Sequence, residues 1–454
     1  MHIFFAGGGN CTEYIARRLI REGHDLVLLE HDEERCHQLS ESLDARIVRG
    51  WSSSIHDWQR AGLAKADMFM ACTDDDQTNV LACLIANDIA PDALKAMRLR
   101  SPEYAELKQT FDRLGVRVDR VIHPEIDMVE RILRLIAVPG VADIRNFAGG
   151  LIKLFSMNLE AGSPLAGIRV GDFPKFAGTG EALIPVVLRG SEAIIPASDE
   201  RLLIGDHVYV VTSAESLGQT FEHIGIHQKT HVRQVFITGG GEVGLELARA
   251  LEQQKVSVKL FELNTQRCDY LATQLAQTVV INADGTSQEV LLQEHIEGID
   301  AFVCLTNEED ANLIASLLAR RMNVDKVIPL VTSLNYLELA QRLGINTTVN
   351  PRIKAADALL EFVRKGGVVS VRTLGEDKVE AIELTVPADS HYADLTLGEL
   401  ALPADSLVGA IAQPDGTVRI PNGTTSIRAG DRIVLFTKEG AVRSLEKRIL
   451  TGST

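Results

Sequence analysis

Short apolar segments alternate with amphipathic segments in two separate parts of the chain. In the first part, the helix-like stretch Glu13–Arg21 lies between strand-like runs, and the same alternation starts again at Val235. The strand-like runs of the two parts are Ile3–Ala6, Leu26–Leu29, Arg46–Val48, Met68–Cys72, Val258–Phe261, Val279–Ile281 and Ala301–Leu305. Strands that alternate with helices predict a doubly wound parallel sheet with helices on both faces.

A different pattern, of short β-like runs joined by tight turns, follows each of these parts. The runs are Leu151–Phe155, Leu183–Leu188, Ala193–Ile195 and Val208–Val211, then Val379–Leu384, Leu407–Ala412, Val418–Ile420 and Arg432–Phe436. Short helices are predicted at Gly167–Phe173 and Thr396–Leu400. We therefore predict an α/β chain with two Rossmann-like doubly wound parallel-sheet domains, each followed by a small β-rich α+β domain. The predicted domains are residues 1–135, 136–226, 227–365 and 366–454.

The two halves repeat each other in register. Gly7 and Gly239 are separated by 232 residues, and Glu30 and Glu262 are separated by the same number. The small domains repeat with a spacing of 225, which relates Gly205-Asp206 to Gly430-Asp431. A long internal repeat of this kind predicts two structurally related sites.

The second half contains a complete G-x-G-x-x-G motif between a strand and a helix. In such a loop the first glycine allows the tight turn, the second admits a pyrophosphate and the third lets the helix pack on the strand. The candidate contacts are Gly239, Gly240, Gly241, Glu242, Val243 and Gly244, with phosphate at the helix N-terminus. Glu262 is spaced to accept hydrogen bonds from ribose hydroxyls, and an acid there favours NAD or an adenine nucleotide over NADP.

The first half departs from this motif. Its candidate contacts are Gly7, Gly8, Gly9, Asn10, Cys11 and the acid Glu30, but Thr12 takes the place of the third glycine. After the third strand we match Gly50 to Asp284 of the second half, so the acid is missing there. The neighbouring Trp51 is either a stacking partner for adenine or a surface or packing residue. The sequence therefore predicts two unequal nucleotide sites.

A polar segment follows the fourth strand of each half. The segments are Thr73–Asn79 and Thr306–Asn312, and in each the threonine precedes an acid, Asp76 or Glu309, by three residues. This spacing predicts a capping box that opens a helix. Ligands of a doubly wound sheet also bind at this edge, so Thr73, Asp74 and Thr306 are further candidates.

Composition narrows the function. The formal net charge of −16 argues against a nucleic-acid partner, whose phosphates require Lys and Arg. No apolar run is long enough to span a bilayer, and the N-terminus shows no signal-peptide pattern. The six cysteines lack C-x-x-C spacing, so we expect neither a metal site nor a disulfide framework, and we expect a cytoplasmic location.

With these residues assembled, the chain resembles the regulatory subunits of Trk potassium-uptake systems, the TrkA family, over essentially its whole length. Beyond the glycine loops, acids and polar segments, the resemblance is carried by Arg98–Tyr104, Val121–Glu125 and Ser163–Gly167. Members of that family consist of tandem domains that regulate potassium conductance, called RCK or KTN domains.

The resemblance implies NAD(H) binding, with ATP or ADP as further or competing ligands. It also implies a gating ring, which would be a homotetramer with two large domains from each chain. This ring would bind peripherally, on the cytoplasmic face of the membrane, to a TrkH-like potassium channel or transporter subunit. Arg98 falls where the family places an arginine that contacts phosphate, and Leu330 is the matching residue in the second half.

Two other functions stay open. An NAD-dependent oxidoreductase would share the glycine loop, but it needs a positioned acid–base group. No His, Tyr or Lys constellation follows the fourth strand of the second half; His295 precedes that strand, and we interpret His31 and His123 as solvated or structural residues. Alternatively, the small domains are themselves sensors of a cyclic dinucleotide or another metabolite. The sequence favours a nucleotide-gated regulator without catalysis.

Overall fold

The computed structural model describes residues 1–101, 104, 107–138, 140–178, 180–190, 192–226, 232–324, 326–345, 347–351, 359, 362, 368–375, 378–388, 390, 393–400, 402–403 and 405–438. Pro102 and Glu103, which belong to one motif of the family resemblance, lie outside the described residues. The expected domain limits at residues 227 and 365–366 lie outside them as well, so these limits stay predictions.

The first large domain is built on six parallel strands in the order β3-β2-β1-β4-β5-β6. The strands are β1 (His2–Ala6), β2 (Asp25–Glu30), β3 (Arg46–Arg49), β4 (Met68–Ala71), β5 (Leu94–Arg98) and β6 (Arg120–Ile122). The helices are α1 (Asn10–Arg21), α2 (Glu33–Ser42), α3 (Ile55–Ala61), α4 (Asp76–Ile89), α5 (Leu107–Leu114) and α6 (Pro124–Ala137). The strand order reverses between β1 and β4, and ligands of such sheets bind at this switch point.

The first sheet has an apolar core on each of its two faces, which explains why helices cover both sides of it. Successive residues of a strand point to opposite faces, so Ile3 and Phe5 pack with Ile15 on one side, while Phe4 packs with Trp58 on the other. All four residues of β4 are buried. Near-continuous burial is typical of a parallel strand that is covered on both faces.

The first small domain is an antiparallel sheet in the order β10-β9-β11-β8-β7. Its elements are β7 (Asp143–Phe147), β8 (Ile152–Asn158), α7 (Phe173–Phe176), β9 (Ala182–Arg189), β10 (Glu192–Ile194), β11 (His207–Ser213) and α8 (Leu217–His223). The helix predicted at Gly167–Phe173 is wrong in its position. Gly167 and Val170 donate their N–H groups to Leu202 and Glu200, so a 3-10 turn begins only at Val170 and leads into α7.

The second large domain repeats the parallel sheet with five described strands in the order β14-β13-β12-β15-β16. The strands are β12 (Gln234–Thr238), β13 (Ser257–Glu262), β14 (Val279–Asn282), β15 (Ala301–Cys304) and β16 (Lys326–Pro329). The helices are α9 (Glu242–Gln253), α10 (Thr265–Gln274), α11 (Gln288–Gln293), α12 (Glu309–Arg321) and α13 (Leu334–Arg342).

The second small domain is again antiparallel, in the order β17-β18-β21-β19-β20. Its strands are β17 (Val368–Leu374), β18 (Val379–Thr385), β19 (Ser406–Ala412), β20 (Val418–Arg419) and β21 (Arg432–Lys438). The helix predicted at Thr396–Leu400 is wrong: this segment is a turn, because Leu397 and Gly398 donate to Thr425 and Gly423 rather than along a helix. The predicted fold class, two Rossmann-like domains each followed by a small β-rich domain, is confirmed.

The two large domains exchange elements. Helix α6 follows the first sheet, yet its apolar face packs into the core of the second large domain, with Ile132 and Leu135 among Leu247 and Leu251 of α9. In return, Leu359, which follows the second sheet, is buried in the core of the first. The expected boundary between residues 135 and 136 lies inside α6 and stays a prediction.

The two small sheets also pack against each other. Their shared core includes Phe147 and Val211 from the first sheet and Phe436 from the second. The side chain of Arg145 donates to the carbonyl of Thr373 at 2.8 Å across this interface. The halves therefore form one closely packed unit at the small domains as well as at the large ones.

One buried lysine joins the second large domain to the segment that follows α6. Lys326 at the start of β16 donates its Nζ to the carbonyl of Val141. Burial lowers the pKa of Lys326 to about 8. By strand register, the matching residue of the first half is Leu94.

Three negative predictions can be compared with the described residues. All six cysteines lie in the described part of the chain, and none forms a disulfide. Within the described ranges, no helix combines the length and hydrophobicity that a bilayer span requires. The same residues contain no group of three or more His, Cys, Asp or Glu side chains placed to hold a metal ion.

Candidate nucleotide-binding sites

The glycine loop of the second half is a tight turn between β12 and α9. Gly239 has φ +101°, and a Cβ atom there would lie 2.7 Å from the backbone of Leu305. A Cβ at Gly244 would lie 2.1 Å from the carbonyl oxygen of Gly239, so the helix reaches the strand this closely only with glycine. By contrast, nothing lies within 4 Å of a Cβ at Gly241. The middle of the loop is thus open to a ligand.

Helix α9 begins without a side-chain cap on its first turn. The backbone N–H groups of Glu242 and Val243 therefore face the open loop, and the positive end of the helix dipole adds to them. Free N–H groups at a helix N-terminus are a binding site for phosphate.

An acid and an arginine fix the shape of this loop. The two carboxylate oxygens of Glu262 accept the N–H groups of Gly240 and Asn264, both at 2.8 Å. Arg267 donates Nε to the carbonyl of Gly240 at 2.7 Å, and its guanidinium lies over the ring of Tyr270, 4.8 Å from the centroid. A carboxylate keeps further lone pairs after two such bonds, so Glu262 can still accept ribose hydroxyls.

A cleft of about 610 Å³ opens beside the loop. Six of the predicted contact residues line it: Gly239, Gly240, Gly241, Glu262, Asp284 and Thr306. Glu242, Val243 and Gly244 do not line it and lie at the start of α9 instead. Sequence reasoning missed the other lining residues, which include Leu263, Asn264, Gln266, Arg267 and Tyr270. The repeat contained a signal for one of them, since Arg35 and Arg267 also lie 232 residues apart.

The glycine loop of the first half has the same backbone arrangement. Gly7 has φ +90°, and the N–H of Gly8 donates to Glu30 Oε2 at 2.6 Å. The other oxygen of Glu30 accepts the N–H groups of His31 and Asp32 at 2.8 and 2.9 Å. Arg35 donates Nε to the carbonyl of Gly8 at 2.8 Å, as Arg267 does to Gly240. The acid and the arginine therefore have the same role in both loops.

The start of α1 is where the first loop departs from the second. Gly9 caps the helix without a side-chain bond, so the N–H groups of Asn10 and Cys11 begin the first turn. The side chain of Cys11 is buried, and Thr12 is fully buried. Among the described residues, the hydroxyl of Thr12 has no hydrogen-bond partner. Thr12 thus occupies the position of Gly244 with a larger side chain, whose hydroxyl makes no hydrogen bond among the described residues.

The polar segments after β4 and β15 are held by a threonine–asparagine pair. The hydroxyl of Thr73 contacts Asn79 Oδ1 at 2.7 Å, and Thr306 contacts Asn312 in the same way at the same distance. Both asparagines also bond to the carbonyl of the following strand's end, at Arg98 or Leu330.

The capping boxes predicted from these threonines are wrong. Helix α4 is capped by Asp75, which accepts the N–H of Thr78 at 2.7 Å, and α12 begins after Glu308. Thr73 lies two residues before the cap residue Asp75, and its hydroxyl donates to Asn79 instead of capping the helix. A Cβ atom at Gly7 would lie only 2.9 Å from the methyl carbon of Thr73. Thr73 therefore forms a wall of the first glycine loop.

A half-buried arginine distinguishes the first site from the second. Arg98 Nη1 lies 3.4 Å from Asp74, and Nη2 lies 3.4 Å from Glu125. Burial opposes the charge of Arg98, but Cys11, Glu125 and Asp74 together raise the pKa of its guanidinium. Its Nε atom is buried and has no partner among the described residues. The bonds of Asn79 and Asn312 confirm that Leu330 is its counterpart.

One matched pair in the sequence analysis is wrong. The ladders pair Glu30 with Arg49 and Glu262 with Asn282, which places Trp51, not Gly50, at the position of Asp284. The connection before β14 is one residue longer than the connection before β3, so the spacing of the repeat changes from 232 to 233 there. The first half therefore has an indole where the second has a carboxylate.

Comparisons with known proteins agree over most of the chain. The TrkA-N domain model matches residues 3–124 and 235–351, and the TrkA-C domain model matches residues 381–450. The chain is 30% identical to the Trk system potassium uptake protein TrkA of Halomonas elongata, over 100% of both proteins. Its fold is similar to the crystal structure of the GsuK RCK domain (TM-score 0.63, 19% identity, covering 99% of this chain and 94% of that one). It is also similar to the GsuK channel bound to NAD (TM-score 0.61, 18% identity, covering 99% and 78%).

Proposed function

Since the chain belongs to the family of Trk system potassium uptake proteins TrkA, we propose that it is a nucleotide-binding regulatory subunit of a potassium transport system. The observation that carries this proposal is the duplicated loop. In both halves an acid accepts the N–H of a loop glycine, Gly8 or Gly240, and a helix begins uncapped beside it. Two such loops in one chain suit a protein that senses nucleotides and passes the result to a partner.

The proposed ligand of both loops is NAD(H), with ATP or ADP competing for them. Glu30 and Glu262 stand where a ribose lies, and a carboxylate there repels the 2′-phosphate of NADP. The solved GsuK channel with the same fold was bound to NAD.

The proposed contacts are the residues predicted from the sequence. Phosphate lies on the loops and the first helical turns, ribose on the two acids, and the remaining groups complete each site. The first site comprises Gly7, Gly8, Gly9, Asn10, Cys11, Glu30, Thr73, Asp74 and Arg98. The second comprises Gly239, Gly240, Gly241, Glu242, Val243, Gly244, Glu262, Asp284 and Thr306.

We further propose that copies of the chain assemble into a homotetrameric ring on the cytoplasmic face of a TrkH-like potassium channel or transporter subunit. The two large domains expose apolar side chains at matching positions, Leu81 on α4 and Ile314 on α12, which are 42% and 57% exposed. Matching exposed apolar positions suit a contact that repeats around a ring. Sedimentation velocity tests this: Leu81→Glu with Ile314→Glu should yield monomers, and an unchanged mass would contradict the contact.

Regulation without catalysis is the proposed mode of action. The cleft of the second half is lined by glycines, amides, hydroxyls, carboxylates and Arg267, with Tyr270 beneath that arginine. No histidine or lysine is among its described lining residues. A dehydrogenase needs a general acid or base within reach of its substrate. Steady oxidation of NADH by the pure protein with a carbonyl compound would support the rival function.

Calorimetry with matched loop variants tests nucleotide binding. Gly9→Asp and Gly241→Asp each place a carboxylate where phosphate approaches, and neither new Cβ has a neighbour closer than 4.0 Å. The wild-type chain should bind two equivalents of NADH, ADP or ATP, and each variant should bind one. Wild-type protein that binds none of these nucleotides would refute the proposed function.

Flux measurements test the connection to transport. Proteoliposomes that contain the membrane subunit should change their potassium flux when the chain and a nucleotide are added together. The double variant Gly9→Asp with Gly241→Asp should remove the response to nucleotide. A response that persists in the double variant would place the sensing elsewhere in the chain.

A further inference from the structure

An exposed pair of aromatic rings lies beside the first glycine loop. The indole of Trp51 is 63% exposed, and its ring centroid lies 4.6 Å from that of His31 with an interplanar angle of 31°. An exposed pair of rings can stack with a further flat ring, because aromatic rings attract one another in offset-stacked arrangements. The pair is therefore a candidate surface for a ligand with a flat apolar face.

Both rings are held in place by the surrounding backbone. His31 Nδ1 lies 2.8 Å from Glu30, the acid that fixes the glycine loop. The N–H of Trp51 donates to Asp57 at 3.0 Å, and this bond is the main reason that the pKa of Asp57 is lowered. A Cβ at Gly50 would lie 2.8 Å from Asp57, so glycine is what allows this turn. The indole thus stands on a fixed backbone although its face is open to solvent.

The position of the rings matches the base end of the second cleft. His31 follows Glu30 as Leu263 follows Glu262, and Trp51 corresponds to Asp284 by strand register. Leu263 and Asp284 both line the cleft of the second half. The base of a nucleotide is attached to the ribose, so it lies just beyond the acid that holds the ribose hydroxyls.

We propose that the two sites recognise the nucleobase by different chemistry. Trp51 stacks on the base in the first site, and Asp284 accepts a hydrogen bond from its exocyclic amine in the second. This inference rests on the proposed function. Stacking on an aromatic ring tolerates any base, since every base has a π face. A carboxylate is an acceptor only, so it favours the amino group of adenine and opposes the carbonyl oxygen of hypoxanthine or guanine.

The carboxylate of Asp284 is already oriented for this role. Its Oδ1 accepts the N–H of Thr286 at 2.9 Å and the hydroxyl of Thr286 at 2.7 Å. These two bonds fix the side chain at the end of β14 and leave it further acceptor capacity. The first site should therefore be tolerant of the base, and the second should select adenine.

Tryptophan fluorescence of the full chain tests the first site. The chain has two tryptophans, and Trp58 is fully buried, so a ligand that stacks on Trp51 should quench the exposed indole. In the Gly241→Asp chain, ADP and IDP should both quench emission, with affinities within about threefold of each other. Calorimetry measures the variants that lack this indole: Trp51→Ala should weaken both nucleotides about 5- to 100-fold, and Trp51→Phe should retain most of the affinity. Ile204→Ala, a change at a residue equally exposed on the first small domain, should have no effect.

The Gly9→Asp chain tests the second site in the same titrations by calorimetry. IDP should bind at least about tenfold more weakly than ADP, and Asp284→Asn should narrow that difference. Trp51→Ala should leave both affinities of this chain unchanged. If Trp51→Ala leaves ADP affinity unchanged in the Gly241→Asp chain, or if IDP and ADP bind the second site equally, this inference is overturned. The proposed function itself fails only if the wild-type chain binds no nucleotide.

Discussion

The two large domains have the same backbone arrangement but different chemistry around it. The bonds from Gly8 to Glu30 and from Gly240 to Glu262 match, and so do those of Arg35 and Arg267. These bonds shape the loop itself, so a change at any of them would alter the site's geometry. The groups that differ stand where the helix start, the phosphate and the base would lie.

Four substitutions account for the contrast between the halves. In the order first half to second half, they are Thr12 to Gly244, Leu94 to Lys326, Trp51 to Asp284 and Arg98 to Leu330. Each changes size, charge or polarity without changing the strand order. We propose that these differences give the two sites unequal affinity and selectivity on one scaffold, which would suit a sensor of competing nucleotides.

The largest effect on stability and binding is expected when Gly244 of the second loop is replaced by threonine, the matching residue of the first loop. Gly244→Thr places a Cβ 2.1 Å from the carbonyl of Gly239, so α9 must move away from β12. We expect a loss of about 3 kcal/mol or more in stability and no binding at the second site. Thr12→Ala should change stability by about 1 kcal/mol or less, because it removes a methyl group together with a buried hydroxyl that has no partner among the described residues. Thermal unfolding with and without ADP measures both, and equal tolerance of the two changes would show that the loops do not differ in packing.

Replacing the buried lysine with the residue of the first half should change the pH dependence of stability. Lys326 has a folded pKa of about 8 against 10.5 for an exposed lysine, so between these values the unfolded chain binds more protons. Stability of the wild type should therefore rise with pH across this window, and Lys326→Leu should lack that rise. The difference in the free energy of unfolding between the two proteins should change by about 3 kcal/mol from pH 7.5 to 10.5. Measurements of Tm across this pH range follow the change. Parallel Tm curves would mean that Lys326 titrates normally.

The smallest of the three effects is expected at the phosphate. Arg98→Leu gives the first site the residue of the second and removes a charged donor, which should weaken ADP about 10- to 100-fold in the Gly241→Asp chain. Leu330→Met is the matched control and should leave the second site unchanged in the Gly9→Asp chain. Isothermal calorimetry at two salt concentrations measures both, and the loss should be smaller at high salt. An unaltered affinity would remove Arg98 from the site.

Much of this contrast was predictable because it lies in short motifs with fixed spacing. The strand-like runs located both parallel sheets, and the glycines and acids located both loops, since their backbone bonds depend on residues near in sequence. The pairing of Gly50 with Asp284 failed because one extra residue before β14 shifts the repeat. Only the strand ladder shows that shift.

Other features depend on packing between distant segments. One predicted short helix is displaced and the other is a turn, because carbonyls of neighbouring loops accept their N–H groups, as Leu202 does for Gly167. The buried position of Cys11 and the half-buried position of Arg98 follow from the cores and charges that surround them in the folded chain. The exchange of α6 for the segment of Leu359 could not be predicted, since nothing local states which of two similar sheets an apolar helix will cover.

That exchange has a consequence for how the protein is made. A ribosome releases the first large domain long before Leu359 emerges, so the core to which this leucine belongs stays incomplete during about half of translation. The apolar face of helix α6 likewise stays uncovered until α9 has been synthesised. Neither large domain can complete its core as an independent nascent unit, and the newly made first half is exposed to mispairing with other nascent chains until the second half arrives. Both large domains therefore complete their cores late in synthesis and at nearly the same time.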